Sequence, residues 1–266
     1  MKRAFSSLLF FPVASWALGL GGTISFEGGF RWDHYDQSGS LPADATTRVR
    51  NKVKHIHLGT FTTEARLTYD DAGYFRLKGG YGSVVTRPQR EVTVGATTSP
   101  SYVDTREFAY DLATALGYTF DLFAGDFLIA PEFGYGYSRL KIDETDNLSY
   151  GAPFFGLELR WNIVEVWKMR LHFDYHFLGT RREQLPPPTA GLTTEDALSL
   201  RDGHVQGPEG LLYFGYDFNK QWTLGVQYRL KYLFSDKQVI NGTSTTWKEK
   251  TSWTTNVISL NLGYIF

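Results

Sequence analysis

The sequence predicts an all-β fold, a transmembrane antiparallel up-and-down β-barrel of about ten strands, with long links at one end and short turns at the other. Three observations predict it: an N-terminal segment suited to export, two-residue alternation sustained further than soluble strands need, and connections that alternate between short and long.

The export segment comes first. Lys2 and Arg3 form a positive n-region, residues 8–13 an apolar h-region, and Ala14-Ser15-Trp16-Ala17 a small-residue cleavage site. Residues 1–17 therefore read as a signal peptide and 18–266 as one mature domain. The apolar run is broken by Pro12 and is far shorter than the roughly twenty residues a membrane helix requires. Loss of Lys2 and Arg3 leaves 25 basic residues against 28 acidic, a net charge of -3, which gives no basis for nucleic-acid binding. The exported chain has no cysteine, so disulfides and thiolate metal sites are excluded. Aromatics make up 16% of the residues, with 27 glycines, a composition that suits a barrel whose strands meet lipid with alternate residues only.

Alternation defines the strands. Trp222, Leu224, Val226, Tyr228, Leu230, Tyr232 and Phe234 share one face, while Thr223, Gln227, Arg229 and Lys231 share the other. That period of two runs beyond the nine to eleven residues with which a tilted strand crosses a bilayer. Trp167, Met169, Leu171, Phe173, Tyr175 and Phe177 repeat it against Lys168, Arg170, His172, Asp174 and His176. Residues 108–120 do so again, and further strands are expected near 23–35, 54–69, 74–87, 127–142, 150–163, 210–218 and 252–266, ten in all. An even count returns both ends of the chain to the periplasm. Short turns fall at 70–73, 121–126, 164–166 and 219–221; long polar links fall at 36–53, 88–106, 143–149, 181–208 and 235–251 and should face outside. The 181–208 link, with Pro186-Pro187-Pro188, is the expected extracellular lid, and Asn241-Gly242-Thr243 reads as a turn. Trp32, Trp161, Trp167, Trp222 and Trp253 sit at strand ends, where an indole suits headgroup depth.

The last strand carries a family likeness. Ile258, Leu260, Leu262, Tyr264 and Phe266 alternate with Ser259, Asn261 and Gly263, a pattern that resembles the C-terminal signature of bacterial outer-membrane barrels. The resemblance implies an outer-membrane location and makes Tyr264 and Phe266 an assembly signal read by the barrel-assembly machinery. The ten-strand plan is also similar to omptin proteases and ten-stranded adhesins, most locally from Pro153 through Trp161 into the 167–177 strand. Omptin catalysis, as that family implies, needs an acidic pair facing an Asp/His pair at the extracellular mouth. The corresponding loop, residues 88–107, offers only Glu91, Asp104 and Glu107, and the facing one lacks the Asp-x-His run, although Asp174 and His176 share an inward face.

The same registers point Glu27, Arg31, Arg66, Arg76, Lys78, Asp111, Glu132, Glu158, Arg160, Arg170, Asp174, His176, Asp217, Arg229 and Lys231 into the lumen. Balanced charge there fits either a narrow selective passage or a salt-bridged plug. Ten strands lie near the closed end of the range between eight, which side chains fill, and sixteen, which leave a channel. Gly80, Gly82, Ala109, Ala113, Ala115, Gly117, Gly134 and Gly136 thin one wall, making room for long cations from the far side or leaving a small gap. Arg48, Arg50, Lys52 and Lys54 lie on one side of the second strand, placed to line an anion-attracting mouth or to meet lipopolysaccharide phosphates; they face the lumen if one register holds down to Tyr69 and outward if a bulge near Gly59 turns them. His55/His57 and His172/His176 are read as polar lining rather than metal ligands, and no cofactor is expected. These observations favour a non-enzymatic outer-membrane barrel, a narrow porin-like channel or a structural surface protein. The alternatives are a ligand-binding adhesin acting through the links 36–53, 88–106 and 181–208, and an omptin-like protease using Asp174 and His176. Expected partners are outer-membrane lipids, lipopolysaccharide, the assembly machinery and either small solutes or a host-surface ligand.

Overall fold

The computed structural model describes residues 20–41, 44–70, 72–102, 108–141, 147–185, 198–235, 238–240, 246–247 and 249–266. The expected signal peptide, Asp104, Glu107, the Pro186–188 run and the 241–243 turn lie outside the described residues.

Ten long strands carry the fold: β1 (Leu20–Leu41), β2 (Asp44–Tyr69), β3 (Gly73–Val84), β6 (Phe108–Tyr118), β8 (Phe127–Lys141), β9 (Asn147–Val164), β10 (Trp167–Leu185), β11 (Leu198–Asp217), β12 (Trp222–Ser235) and β15 (Glu249–Ile265). Five short ones accompany them: β4 (Gln89–Val94), β5 (Thr97–Tyr102), β7 (Phe120–Asp121), β13 (Gln238–Ile240) and β14 (Thr246–Trp247). Each long strand pairs antiparallel with its sequence neighbours, and β1 pairs with both β2 and β15, so the sheet closes on itself. Closure removes the exposed edges that a bilayer does not tolerate. The seam ends at Phe266, whose N–H donates to Gly22 O at 3.0 Å and whose carbonyl accepts from Gly22 N–H at 3.1 Å.

The short-turn end is held by side-chain caps. Asp121 Oδ1 accepts from the backbone N–H groups of Phe123 and Gly125 at 3.2 and 2.8 Å, and Asn219 Oδ1 accepts from those of Gln221 and Trp222, both at 2.8 Å. These are the residue types that turn a chain by bonding their own backbone. Around the barrel the outward positions are apolar or aromatic and exposed, among them Phe61, Leu116, Phe133, Phe155, Leu224 and Leu260. With the ten long strands each laddered to two neighbours, that exposed surface is what a lipid-facing wall requires.

The opposite end departs from the expected loops. Residues 36–53 form no free link: β1 and β2 stay paired from Leu20/Tyr69 up to Leu41/Asp44. Residues 89–102 fold as a β4–β5 hairpin that adds to the edge of β2. Likewise β10 runs on to Leu185 and β11 begins at Leu198, with β13 pairing to it. Long polar sequence with alternating Thr, Val and charge is competent to ladder in water, so polarity alone misread these strands as loops.

Bulges reverse side-chain parity at that end, among them one in β2 and one in β10. Between Asp33/Ile56 and Tyr35/Val53 the register slips, with His55 at φ 60°; between His176 and Gly179 it slips again, with Leu178 at φ 48°. One extra residue swaps the faces of everything beyond it. The expected bulge near Gly59 therefore stands at His55, and it turns Arg50 and Lys52 away from the lumen while Val53 goes in.

Candidate functional site: the barrel lumen

The fifteen charged residues predicted for the lumen all lie on the inner wall, and their neighbours divide them into levels. Nearest the short turns, Arg66 Nη1 and Arg160 Nε both donate to Glu158 Oε1 at 2.6 Å. Lys168 pairs with Asp217, and Arg170 Nη1 stands 3.5 Å from Glu64 and 3.7 Å from Glu158. One level up, Arg76 bonds Glu132 and lies 3.7 Å from Glu64 and 4.0 Å from Asp174. His172 Nε2 approaches Asp174 at 2.9 Å and Glu132 at 3.2 Å, and Tyr74 OH donates to Glu132 at 2.9 Å. Lys78 reaches Glu64 at 3.9 Å.

Above these, Arg229 Nη2 donates to Glu27 at 3.2 Å, and Glu209 gathers Arg229, Lys231 and His176 at 3.8, 3.7 and 3.4 Å. Arg31 grips Asp33 at 2.7 Å and Asp111 at 2.5 Å, while Lys231 donates to Ser138 at 2.6 Å. Glu64 joins the network from the inward position its alternation gave it, and Glu209 and Tyr74 join without having been singled out in the sequence. Their inward parity on strands already recognised was the available signal. Pairing across the wall was not, because partners such as Arg66 and Glu158 are 92 positions apart.

The outermost level changes character. Tyr35, Val53, Ile56, Leu58, Ala109, Leu140, Leu148, Tyr150, Val205, Leu233 and Trp253 form one cluster, each at most 2% exposed, with Val84 packed against it. Arg181, fully buried, supplies the remaining strand: its Nη2 donates to Tyr35 OH at 2.9 Å and its Nη1 donates to Thr251. All ten long strands thus contribute to a mostly apolar layer across the outer end. Trp253 belongs to it, 2% exposed and 5.1 Å from the Tyr150 ring, and not to a headgroup girdle, because odd positions of β15 point inward.

The thin wall is also filled, though not by distant cations. Tyr74 packs over Gly117 and Phe154 over Gly134, each directly opposite on the neighbouring strand, leaving no room for a Cβ at either glycine. His176 lies over Gly136 in the same way, its Cε1 3.2 Å from where a Cβ would be.

Three features bear on chemistry. Asp174 and His176 share a face but not a bond: the first pairs with His172 and the second with Glu209, and both lie below the apolar layer, away from the extracellular mouth. Glu132, His172 and Asp174 offer ligand atoms within 4.8 Å of one another, a donor set of metal-binding type. Arg76, bonded to Glu132, already supplies the positive charge an ion would bring. Outside the barrel, Arg50 pairs with Asp36 at 2.5 Å, Lys52 lies 3.9 Å from Asp36, and Lys54 bonds Glu91 at 2.7 Å; the side chain of Arg48 is outside the described residues. Burial pushes the Asp36 carboxyl up, but the Arg50 hydrogen bond and the charges of Arg50 and Lys52 outweigh it and hold the group below its ordinary value. The bond from Lys54 likewise lowers Glu91. His55 and His57 stand 6.1 Å apart at the bulge, outside the lumen.

Comparison with known proteins agrees with this geometry. A family model described as Pom, Protochlamydia outer membrane protein, matches residues 25–150. The outer membrane protease OmpT from Escherichia coli superposes with a TM-score of 0.65 at 10% identity, covering 92% of this chain and 97% of that one. This chain has the fold of an outer-membrane β-barrel. OprG from Pseudomonas aeruginosa (14% identity, 92% and 96% coverage, TM-score 0.39) and the attachment invasion locus protein Ail of Yersinia pestis (11%, 92% and 99%, 0.31) are more distant in shape. No curated protein matches the sequence. At these identities the likeness is one of fold. The closed β-barrel fold is thereby shared with the protease structure, and the activity of this chain is read from its own residues.

Proposed function

We propose that this barrel is a non-enzymatic structural surface protein that conducts neither ions nor solutes. One observation carries the reading: the apolar layer contributed by all ten strands, which lies across the lumen above a charge network that is already paired. A conducting pore needs a continuous polar path, and water does not wet a packed layer of Tyr, Trp, Leu, Ile and Val. Protease chemistry has no support from the mouth, since Asp174 and His176 sit beneath that layer and are committed to other partners. Single-channel recording of the purified barrel in planar bilayers is expected to give no reproducible conductance; regular steps from the wild-type protein would overturn the proposal.

What the barrel holds outside the membrane is stranded surface. The continued β1–β2 pair and the added β4–β5 hairpin, whose β5 residues Thr97–Tyr102 are all exposed, support a role in presenting that surface to ligands or neighbouring cells. Deleting residues 89–102 should abolish binding to a host-surface ligand while leaving the barrel folded; unchanged binding would remove this role. Arg50, Lys52 and Lys54 against Asp36 and Glu91 leave one positive charge in excess at this level, suited to lipopolysaccharide phosphates. We assign recognition by the assembly machinery to Tyr264 and Phe266, at the strand that closes the seam.

A further inference from the structure

The turn end of the lumen holds a cavity of about 270 Å³, lined by Arg66, Arg160, Lys168 and Arg170 with Asn162, Asn261 and the single carboxylate Glu64. These residues converge from β2, β9, β10 and β15, each at an inward position near a short turn. The cavity is therefore a vestibule on the periplasmic side, closed above by the paired charges and the apolar layer.

Its electrostatics are unbalanced. Four cations meet three carboxylates, Glu64, Glu158 and Asp217, and two of the three are shared. Glu158 Oε1 already receives both Arg66 and Arg160, and Glu64 divides its charge among Arg170, Arg76 and Lys78. The contacts of Arg170 to carboxylate, 3.5 and 3.7 Å, are too long for good hydrogen bonds. Arg66 Nε and Arg170 Nε are buried and have no hydrogen-bond acceptor, and Arg66 as a whole is only 4% exposed. Buried donors of this kind are normally satisfied. Both side chains border the same cavity, beside Asn261 and Asn162, whose Nδ2 also donates to Gly125 O at 2.7 Å.

We propose that this vestibule is a binding site for a small dianionic oxyanion entering from the periplasm, phosphate or a short dicarboxylate. Forked guanidinium groups match the paired oxygens of either. The anion meets the partly exposed head groups of Arg160, Lys168 and Arg170 and neutralises the excess charge. Occupancy does not require conduction, because the cavity is entered and left at one end.

Calorimetric titration of the full-length barrel in neutral detergent at low salt tests this, with inorganic phosphate in one arm, succinate in a second and chloride in a third. Saturable one-to-one binding in either of the first two arms, absent with chloride, is the expected result, and the arms decide which oxyanion is preferred. Arg160→Gln combined with Lys168→Gln, both at the partly exposed rim (31% and 34%), should weaken binding by roughly tenfold or more. Lys220→Gln, in an exposed turn, should leave it unchanged. A phosphate-dependent rise in the unfolding midpoint of the wild type provides a second readout. No saturable binding, equal binding of chloride, or undiminished affinity in the double variant would each overturn the site, the last two marking an adventitious ion only.

Discussion

The two ends of this lumen are built from the same ten strands and are held together differently. Toward the turns the interior is a mesh of guanidinium, ammonium and carboxylate groups, nearly all with partners on another strand. Toward the outside it is packed like the core of a soluble protein, from Trp253 and Tyr150 to Ile56 and Leu140. In the charged levels each group is tolerable only because another neutralises it, so position is specified by pairing. In the outer layer shape does the specifying, and no charge needs a counterpart except Arg181. The contrast explains how the described strands of a ten-stranded barrel fill its interior with their own side chains.

The contrast breaks most sharply at Glu158. Replacing it by Gln removes the negative charge that Arg66 and Arg160 share and leaves both guanidinium groups without their counter-ion, and a buried pair broken on one side costs about 3–5 kcal/mol. Urea titration of the refolded barrel should show a correspondingly lower midpoint with an unchanged slope. A loss below about 1 kcal/mol would mean that water relieves the network. The companion substitution in the outer layer, Trp253→Ala, should cost a similar amount, about 3–5 kcal/mol, by leaving a cavity. Only the second is expected to admit ions: conductance in planar bilayers after Trp253→Ala combined with Tyr150→Ala, and none after Glu158→Gln, would locate the seal in the apolar layer.

Arg181→Met probes the one cation that crosses between the two regimes. It removes the donors to Tyr35 and Thr251 but keeps most of the packing volume, so a loss of about 1–3 kcal/mol is expected from the stranded hydroxyls. A neutral or stabilising result would show that the layer treats Arg181 as bulk alone.

Much of this was legible because a strand's two-residue period is exact. Glu158, Arg170 and Arg229 could be placed inside from alternation with Leu157, Leu171 and Leu230, and closure followed from the count and from the turn spacing. The bulges were not legible. His55 and Leu178 adopt positive φ without being glycine or asparagine, so nothing in their identity marks the slip. Beyond each slip the faces exchange, which is why Arg50 and Lys52 needed a condition attached; Arg181 went unnoticed because it falls in the link expected at 181–208. Trp253 was misassigned for another reason: an indole near a strand end satisfies the headgroup pattern, and only the parity of β15, readable from Val257 and Ser259, puts it inside. The outward extension was missed because a laddered strand in water and a polar loop draw on the same residues.

The smallest effect sought lies on that extension, where Asp36 and Arg50 form a pair unlike any in the lumen. Arg50 is about half exposed, and surface pairs of this kind contribute below about 1 kcal/mol and weaken as salt rises. Because the folded state holds the Asp36 carboxyl below its ordinary value, the contribution is fully present above roughly pH 4 and fades as pH falls through the lower folded value. Asp36→Asn should therefore shift the unfolding midpoint slightly at pH 7, by less in concentrated salt, and leave no difference from wild type in strong acid. A shift that persisted in acid would assign the effect to packing between β1 and β2 instead. A shift as large as that of Glu158→Gln would mean that the projecting strands are as dry as the lumen, and the division of the molecule into regimes would then have to be redrawn outside the membrane.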